Sequence, residues 1–238
     1  NSYHDGTHDF GDLLRAVGAV DGVRRVRFTS PYPTDFTPRV IEAMAGTPAV
    51  CEHVHLPVQS GSDAVLRRML RRYTRARYLD VVAELRAAMP GITISTDIIV
   101  GFPGETEADF ADTLSLVDEA GFDEAYTFLY SARDGTPAVR IPGHVPEDVG
   151  AERLQRLIAH VRAGTRRRNA GRVGTVHEVL VERPARRGGQ MLGRTRSNLL
   201  VVLDLSPDTI GEYRTVRLTG TTGSTFTGAV VAPQLAVL

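Results

Sequence analysis

Two turns in this 238-residue chain hold the side chains best placed to do chemistry. The first is Leu56-Pro57-Val58-Gln59-Ser60-Gly61-Ser62-Asp63, which closes an apolar run and sets an amide and hydroxyls where a helical pattern begins. The second is 93–106, TISTDIIVGFPGET, a β-branched run with a single charge, Asp97, that stops at Gly101-Phe102-Pro103-Gly104. Both read as a buried parallel strand, a glycine turn and the first turn of a helix. Such a turn leaves helical N–H groups unpaired and backbone bare of side chains, so a polar ligand approaches closely. In parallel α/β domains that end of the strand is where sites are built. Two polar turns at equivalent places predict one shared ligand, with Gln59 and Ser60 where it would sit.

Other reactive side chains read more plainly. Cys51 is the only cysteine; it forms no internal disulfide and cannot by itself hold an iron–sulfur cluster, which takes three or four thiolates. Placed before the apolar run Val54-His55-Leu56, it reads as a small buried filler. His53 and His55 alternate on one face of a strand with no third ligand near in sequence, so they read as packing or hydrogen-bonding residues. Asp97, a lone acid on a buried strand, needs a polar partner such as Ser95 or a ligand.

All 28 basic residues are arginine, against 28 acidic residues, so net charge is zero and local clusters matter more than the total. The densest runs are 67–78, with tyrosines between the arginines, and Arg166-Arg167-Arg168. The former is either a solvated helix face or a phosphate-facing patch. No apolar run approaches the roughly 20 residues of a membrane span, and a cytoplasmic protein is expected.

The elements that position these residues follow from periodicity. Helices are predicted over 12–20, 37–45, 63–70, 75–89, 105–120 and 147–168. Strands are predicted over 23–29, 52–58, 93–100 and 124–131, with Ser30-Pro31-Tyr32-Pro33 ending the first. Alternation of strand and helix implies a parallel sheet with helices on its outer face. Four strands do not close a barrel, and 23–29 is expected to be an exposed edge prone to pairing with another chain. Beyond Gly171 the period becomes two, with short strands at 175–181, 199–203, 214–218 and 227–231 separated by glycine and proline, predicting a compact β-barrel of about 65 residues. The fold class is therefore α/β plus all-β, with expected divisions at 1–145, a linker helix 146–170, and 171–238.

RFTSPYPTDFT, HLPVQSGSD, Met69-x-Arg71-x-Tyr73-Thr74, STDIIVGFPGET and SARDGTPA, in this order, resemble the radical S-adenosylmethionine methylthiotransferases. HLPVQSGSD is most similar to the tRNA branch, which modifies an isopentenylated adenosine beside the anticodon, and Gly193-Arg194-Thr195-Arg196-Ser197-Asn198 resembles a TRAM domain. The resemblance covers essentially the whole chain. It implies a partial radical-SAM (β/α) barrel followed by a TRAM β-barrel. It also implies reductive cleavage of S-adenosylmethionine by a [4Fe–4S] cluster and insertion of a methylthio group at C2 of the adenine. Family members hold that cluster with a CxxxCxxC motif and a second one with three cysteines in a preceding domain. Neither set is present, so the chain is expected to be a C-terminal part of the longer enzyme, inactive alone and monomeric when full length.

By the same resemblance, Gln59, Ser60 and Asp97 contact the ribose or methionyl part of S-adenosylmethionine, and Ile99 and Gly101 pack against its adenine. Arg133 faces its carboxylate or an RNA phosphate. For tRNA, the expected contacts are Arg71, Arg166, Arg167, Arg168, Arg194 and Arg196, with Tyr213 and Phe226 as stacking platforms unless Phe226 is core. The alternatives are a relative acting on threonylcarbamoyladenosine tRNA or a ribosomal protein, and a non-catalytic RNA-binding module.

Overall fold

The computed structural model describes residues 2–29, 32–186 and 189–231. Ser30 and Pro31, expected to end the first strand, lie outside the described residues. Two compact units divide at Gly164/Thr165.

The first unit holds a parallel three-stranded sheet in the order β1 (His53–His55), β2 (Thr93–Val100) and β3 (Glu124–Leu129). Five helices lie wholly within it: α1 (Phe10–Gly18), α2 (Pro38–Gly46), α3 (Asp63–Arg68), α4 (Arg75–Ala88) and α5 (Glu107–Ala120). Register sets His55 beside Ser95, and Asp97 beside Tyr126. Residues alternate across β2: Ile94, Thr96, Ile98 and Val100 are buried, whereas Asp97 and Ile99 point to the more open face. The buried set joins Leu56, Val58, Val81, Leu85, Phe110 and Phe122 in a single core. Each such side chain contributes about 1.5–3 kcal/mol by leaving water.

Capping is local and legible. Thr37, Ser62, Thr74 and Thr106 each accept from a backbone N–H in the first turn of α2, α3, α4 and α5, and Gly121 ends α5 in the left-handed region.

One predicted strand did not form. Segment 23–29 contributes a single bridge, Val26 with Val50, with Cys51 N–H donating to the Val26 carbonyl at 3.0 Å. Its alternation is genuine, but the bridge is all the pairing it finds, so no ladder propagates. The sheet consequently has three strands, and its edges are β1 and β3.

The helix α6 (Glu147–Ala170) runs through the division between the units. In the second unit a closed barrel runs β4 (Val176–Pro184), β5 (Met191–Thr195), β6 (Leu200–Leu203), β8 (Thr225–Val230) and β7 (Tyr213–Thr221), in that spatial order. Strand β5 is an addition to the predicted four. Its glycine, Gly193, is a steric necessity, because a Cβ there would lie 2.5 Å from Val179 Cγ1. Val179, Val181, Val201, Val216, Leu218 and Phe226 fill the interior. Phe226 is 1% exposed, so it is core and offers no stacking face to RNA.

Candidate functional site

At the C-terminal ends of β1 and β2 a cavity of about 620 Å³ opens, and it gathers five of the residues picked from the sequence: Gln59, Arg71, Asp97, Ile99 and Arg133. Ligand pockets commonly fall between about 300 and 1,000 Å³. Apolar walls come from Met69, Phe102, Phe128 and Leu129, and Pro137 and Ala138 of the following loop close one side.

Gln59 reaches the cavity through an uncommon backbone. Its N–H donates to the Asp97 carbonyl at 2.9 Å and its own carbonyl accepts from Ile99 N–H at 2.9 Å, so it extends the sheet. Yet its φ is 70°, in the left-handed region that costs a non-glycine residue about 1–2 kcal/mol. Leu70, also on the wall, has φ 57°. Leu70 owes that conformation to the end of α3, where its N–H donates to the Arg67 carbonyl at 3.0 Å and Arg71 N–H to that of Leu66 at 2.9 Å; Gln59 has no such local cause.

Ser60 and Gly101 support the cavity without lining it. Ser60 is fully buried; its Oγ accepts from Ser62 N–H at 3.2 Å and lies 3.4 Å from Thr113 Oγ1. The neighbouring Gly61 lets this turn dock on α5, for a Cβ there would stand 2.5 Å from the Asp112 carbonyl oxygen and from Thr113 Cα. Gly101, at φ 74°, donates its N–H to Glu105 Oε1 at 3.0 Å. The same oxygen accepts from Arg153 Nη1 of α6 at 2.8 Å, and the two side chains are 1% and 6% exposed. Burial pushes the Glu105 carboxyl up, opposed by the Gly101 amide and the Arg153 guanidinium.

The run 67–78 divides into two groups. Its tyrosines are not on a phosphate-facing surface: Tyr73 and Tyr78 are buried, with hydroxyls donating to the carbonyls of Val58 at 3.1 Å and Leu56 at 2.8 Å. They fasten the run against the strand that ends in Gln59. Arg75 is likewise structural, bonded to the Asp112 carbonyl and to Glu119. Arg68 and Arg71 differ: Arg68 Nη1 and Arg71 Nε are buried without a hydrogen-bond partner, as is Tyr130 Oη, and all three residues line the cavity. Buried donors of this kind require an acceptor. Arg68, Arg71 and Tyr130 share the cavity lining with Asp97. Arg68 and Tyr130 were missed in the sequence because nothing in their spacing announced them.

His55, expected to pack or hydrogen-bond, does both. Its Nδ1 lies 2.9 Å from Ser95 Oγ, its Nε2 3.3 Å from Asp97 Oδ2, and its ring meets Tyr126 edge-on at 5.7 Å.

In the second unit Arg194 is held by Glu182 at 3.3 Å and by Asn198 Oδ1 at 2.9 Å. Arg196 is half-buried nearby, and Arg166 and Arg167 are exposed at the end of α6, with Arg168 half-buried between them and Asn169. Tyr213, at the start of β7, is partly exposed. The described residues hold no group of three His, Cys, Asp or Glu side chains placed for a metal ion. With one cysteine in the chain, and that one 1% exposed in the core, its residues do not fit an iron–sulfur cluster. Among the described residues no helix is long and apolar enough to cross a membrane.

The family model of the Radical SAM superfamily matches residues 4–117, and that of the TRAM domain matches residues 171–231. The chain thus carries a radical SAM region and a TRAM domain. It is 48% identical over 231 residues to the tRNA-2-methylthio-N(6)-dimethylallyladenosine synthase of Deinococcus radiodurans, covering 96% of this chain and 45% of that protein. To the proteins of the same name from Acidothermus cellulolyticus and Thermus thermophilus it is 51% and 47% identical, covering 89% and 98% of this chain and 44% and 51% of those proteins. The chain thus spans about half the length of the curated relatives it matches. Among solved structures, the radical SAM enzyme coproporphyrinogen III oxidase from Escherichia coli aligns at a TM-score of 0.49 and 14% identity, over 84% of this chain and 50% of that one.

Proposed function

We propose that this chain supplies the S-adenosylmethionine-binding wall and the RNA-binding module of a tRNA methylthiotransferase, which inserts a methylthio group at C2 of N6-isopentenyladenosine beside the anticodon. The observation that carries this reading is the cavity, whose lining combines the Asp97 carboxylate and the Gln59 amide with the side chains of Arg68, Arg71 and Tyr130. A ligand bearing both hydroxyls and a carboxylate fits that lining, and S-adenosylmethionine has both. When bound, that cofactor supplies the radical chemistry, and the protein's part is binding, orientation and electrostatics.

On this reading Gln59 and Asp97 hold the ribose, and Ile99 offers the adenine an apolar face. Gly101 and Ser60, behind the wall, set the turns that follow Ile99 and Gln59. Arg71 takes the carboxylate, since it lines the cavity and a guanidinium pairs with a carboxylate in bidentate fashion. Arg133, exposed at the rim, is left for an RNA phosphate. Arg166, Arg167, Arg168, Arg194 and Arg196 contact the tRNA backbone, which gives salt-sensitive affinity without reading sequence. The functional division is a cofactor-binding part at 1–145, the linker helix at 146–170 and the RNA-binding part at 171–238. Residence in the cytoplasm, where tRNA is modified, belongs to the same reading.

Calorimetric titration of this chain with S-adenosylhomocysteine, beside Arg71→Met, tests the cofactor half. Binding that weakens about tenfold in the variant supports it, as expected for loss of a hydrogen bond to a charged group. No binding by the parent chain, or equal binding by both, overturns it.

A further inference from the structure

Asp97 belongs to a chain of polar side chains on the open face of the sheet. His53 Nε2 lies 3.2 Å from Ser95 Oγ, Ser95 Oγ lies 2.9 Å from His55 Nδ1, and His55 Nε2 lies 3.3 Å from Asp97 Oδ2. Parallel pairing of His55 with Ser95 makes the chain possible, because it brings two neighbouring strands' outward residues side by side. Ser95 is 4% exposed, so its hydroxyl is committed to these partners rather than to water.

Donor and acceptor rules give the chain a direction. His55 Nε2 stands against Asp97 Oδ2 as an ion-pair contact, and because a carboxylate has no hydrogen to give, that contact favours the tautomer with the hydrogen on Nε2. In neutral His55 the other nitrogen, Nδ1, is then an acceptor, and the Ser95 hydroxyl donates to it. That spends the one proton of Ser95, whose oxygen accepts from His53 Nε2. Every hydrogen in the series points toward Asp97. The contact engages Oδ2 and leaves Oδ1 as the acceptor available to the cavity that Asp97 lines.

We propose that His55, set by Ser95 and His53, is the positioning residue of the ribose-binding acceptor Asp97, and thereby tunes the site for ligands bearing a vicinal diol. A carboxylate on a strand swings about χ2 unless one oxygen is held. Holding Oδ2 leaves the other oxygen prearranged for a hydroxyl donor, in the way outer partners orient ligating side chains elsewhere. The inference rests on the reading of the cavity as an S-adenosylmethionine site, and its test separates the two.

The test titrates this chain with S-adenosylhomocysteine and with its 2′,3′-dideoxy analogue, for the parent and for Asp97→Asn, Ser95→Ala, His55→Leu, His55→Gln and His55→Leu/Asp97→Asn. Thermal melts show that each variant used is folded. The parent is expected to prefer the diol by about tenfold, the worth of a charge-assisted hydrogen bond. Asp97→Asn abolishes the preference, His55→Leu and Ser95→Ala reduce it several-fold, and His55→Gln, which keeps a donor, restores most of it. The double variant discriminates no worse than Asp97→Asn alone, because a residue acting through Asp97 has nothing left to position. A His55→Leu protein with parental discrimination, beside a weakened Asp97→Asn, overturns this inference and leaves the site reading standing. So do losses that add in the double variant. Parental discrimination in Asp97→Asn overturns both. Should His55→Leu fail to fold, Ser95→Ala and His55→Gln decide the question.

Discussion

The turn at Gly101, behind the cavity wall, is held by an ion pair, and removing it is expected to be expensive in a calculable way. Glu105 Oε1 receives two donors, Gly101 N–H at 3.0 Å and Arg153 Nη1 at 2.8 Å, and both charged side chains are almost wholly buried. Arg153→Met keeps most of the side-chain bulk but leaves a buried carboxylate with an amide as its remaining strong partner. Breaking a buried pair from one side costs about 3–5 kcal/mol. For a unit of this size each kcal/mol moves the melting temperature by about 2–4 °C, so the first unit's transition is expected to fall by roughly 6–20 °C. Glu105→Gln is milder, because the amide oxygen still accepts from Gly101 while Arg153 keeps the Glu105 carbonyl at 3.2 Å and Glu107 at 3.3 Å.

The pH dependence has a fixed sign. Burial raises the Glu105 carboxyl, so the folded state keeps its proton to higher pH than the unfolded chain does. This group's contribution is therefore full below the unfolded value of about 4.3 and declines as pH rises through the folded value. Glu105→Gln removes that decline. Differential scanning calorimetry of the whole chain across this window resolves the first transition from that of the barrel. An Arg153→Met loss below about 1 kcal/mol, the range of exposed pairs, would refute the claim that the pair clamps the turn. Stability rising with pH through the same window, in the parent but not in Glu105→Gln, would refute the sign.

Two further outcomes follow from the geometry. Gly61→Ala places a Cβ 2.5 Å from the Asp112 carbonyl oxygen and Thr113 Cα, backbone atoms that cannot rotate away, so a loss of about 1–3 kcal/mol in thermal or denaturant unfolding is expected. Replacing Arg166, Arg167 and Arg168 together with glutamine should weaken binding of an anticodon stem-loop and flatten the log-log salt dependence by about 2–3, close to one for each phosphate no longer neutralised; an unchanged slope would remove these residues from the RNA interface.

What the sequence revealed and what it hid divide along a physical line. The two site turns were legible because glycine and proline punctuate them and hydroxyl residues cap the helices that follow, all within a few residues. Gln59 and Asp97 stood out for the same reason, whereas Ile99 was named by the family resemblance. Strand β5 was hidden because Gly193 breaks its alternation, and that glycine is there to let β4 approach, a fact about a neighbour. Segment 23–29 erred the other way, with good alternation and a single bridge. Tyr73 and Tyr78 looked like companions of the arginines beside them, yet their hydroxyls reach carbonyls 15 and 22 residues back.

The pairs that shape the site share this non-local character. Arg153 meets Glu105 across 48 residues, and His55 meets Ser95 across 40. No periodicity records such distances, since strand register and helix docking set them only once the core has formed. The cavity's walls could therefore be read from local signals, whereas the residues that hold those walls in working geometry could not. Variation at Arg153 or His55 is expected to alter ligand binding without touching the ligand, through the Gly101 turn in one case and the Asp97 carboxylate in the other.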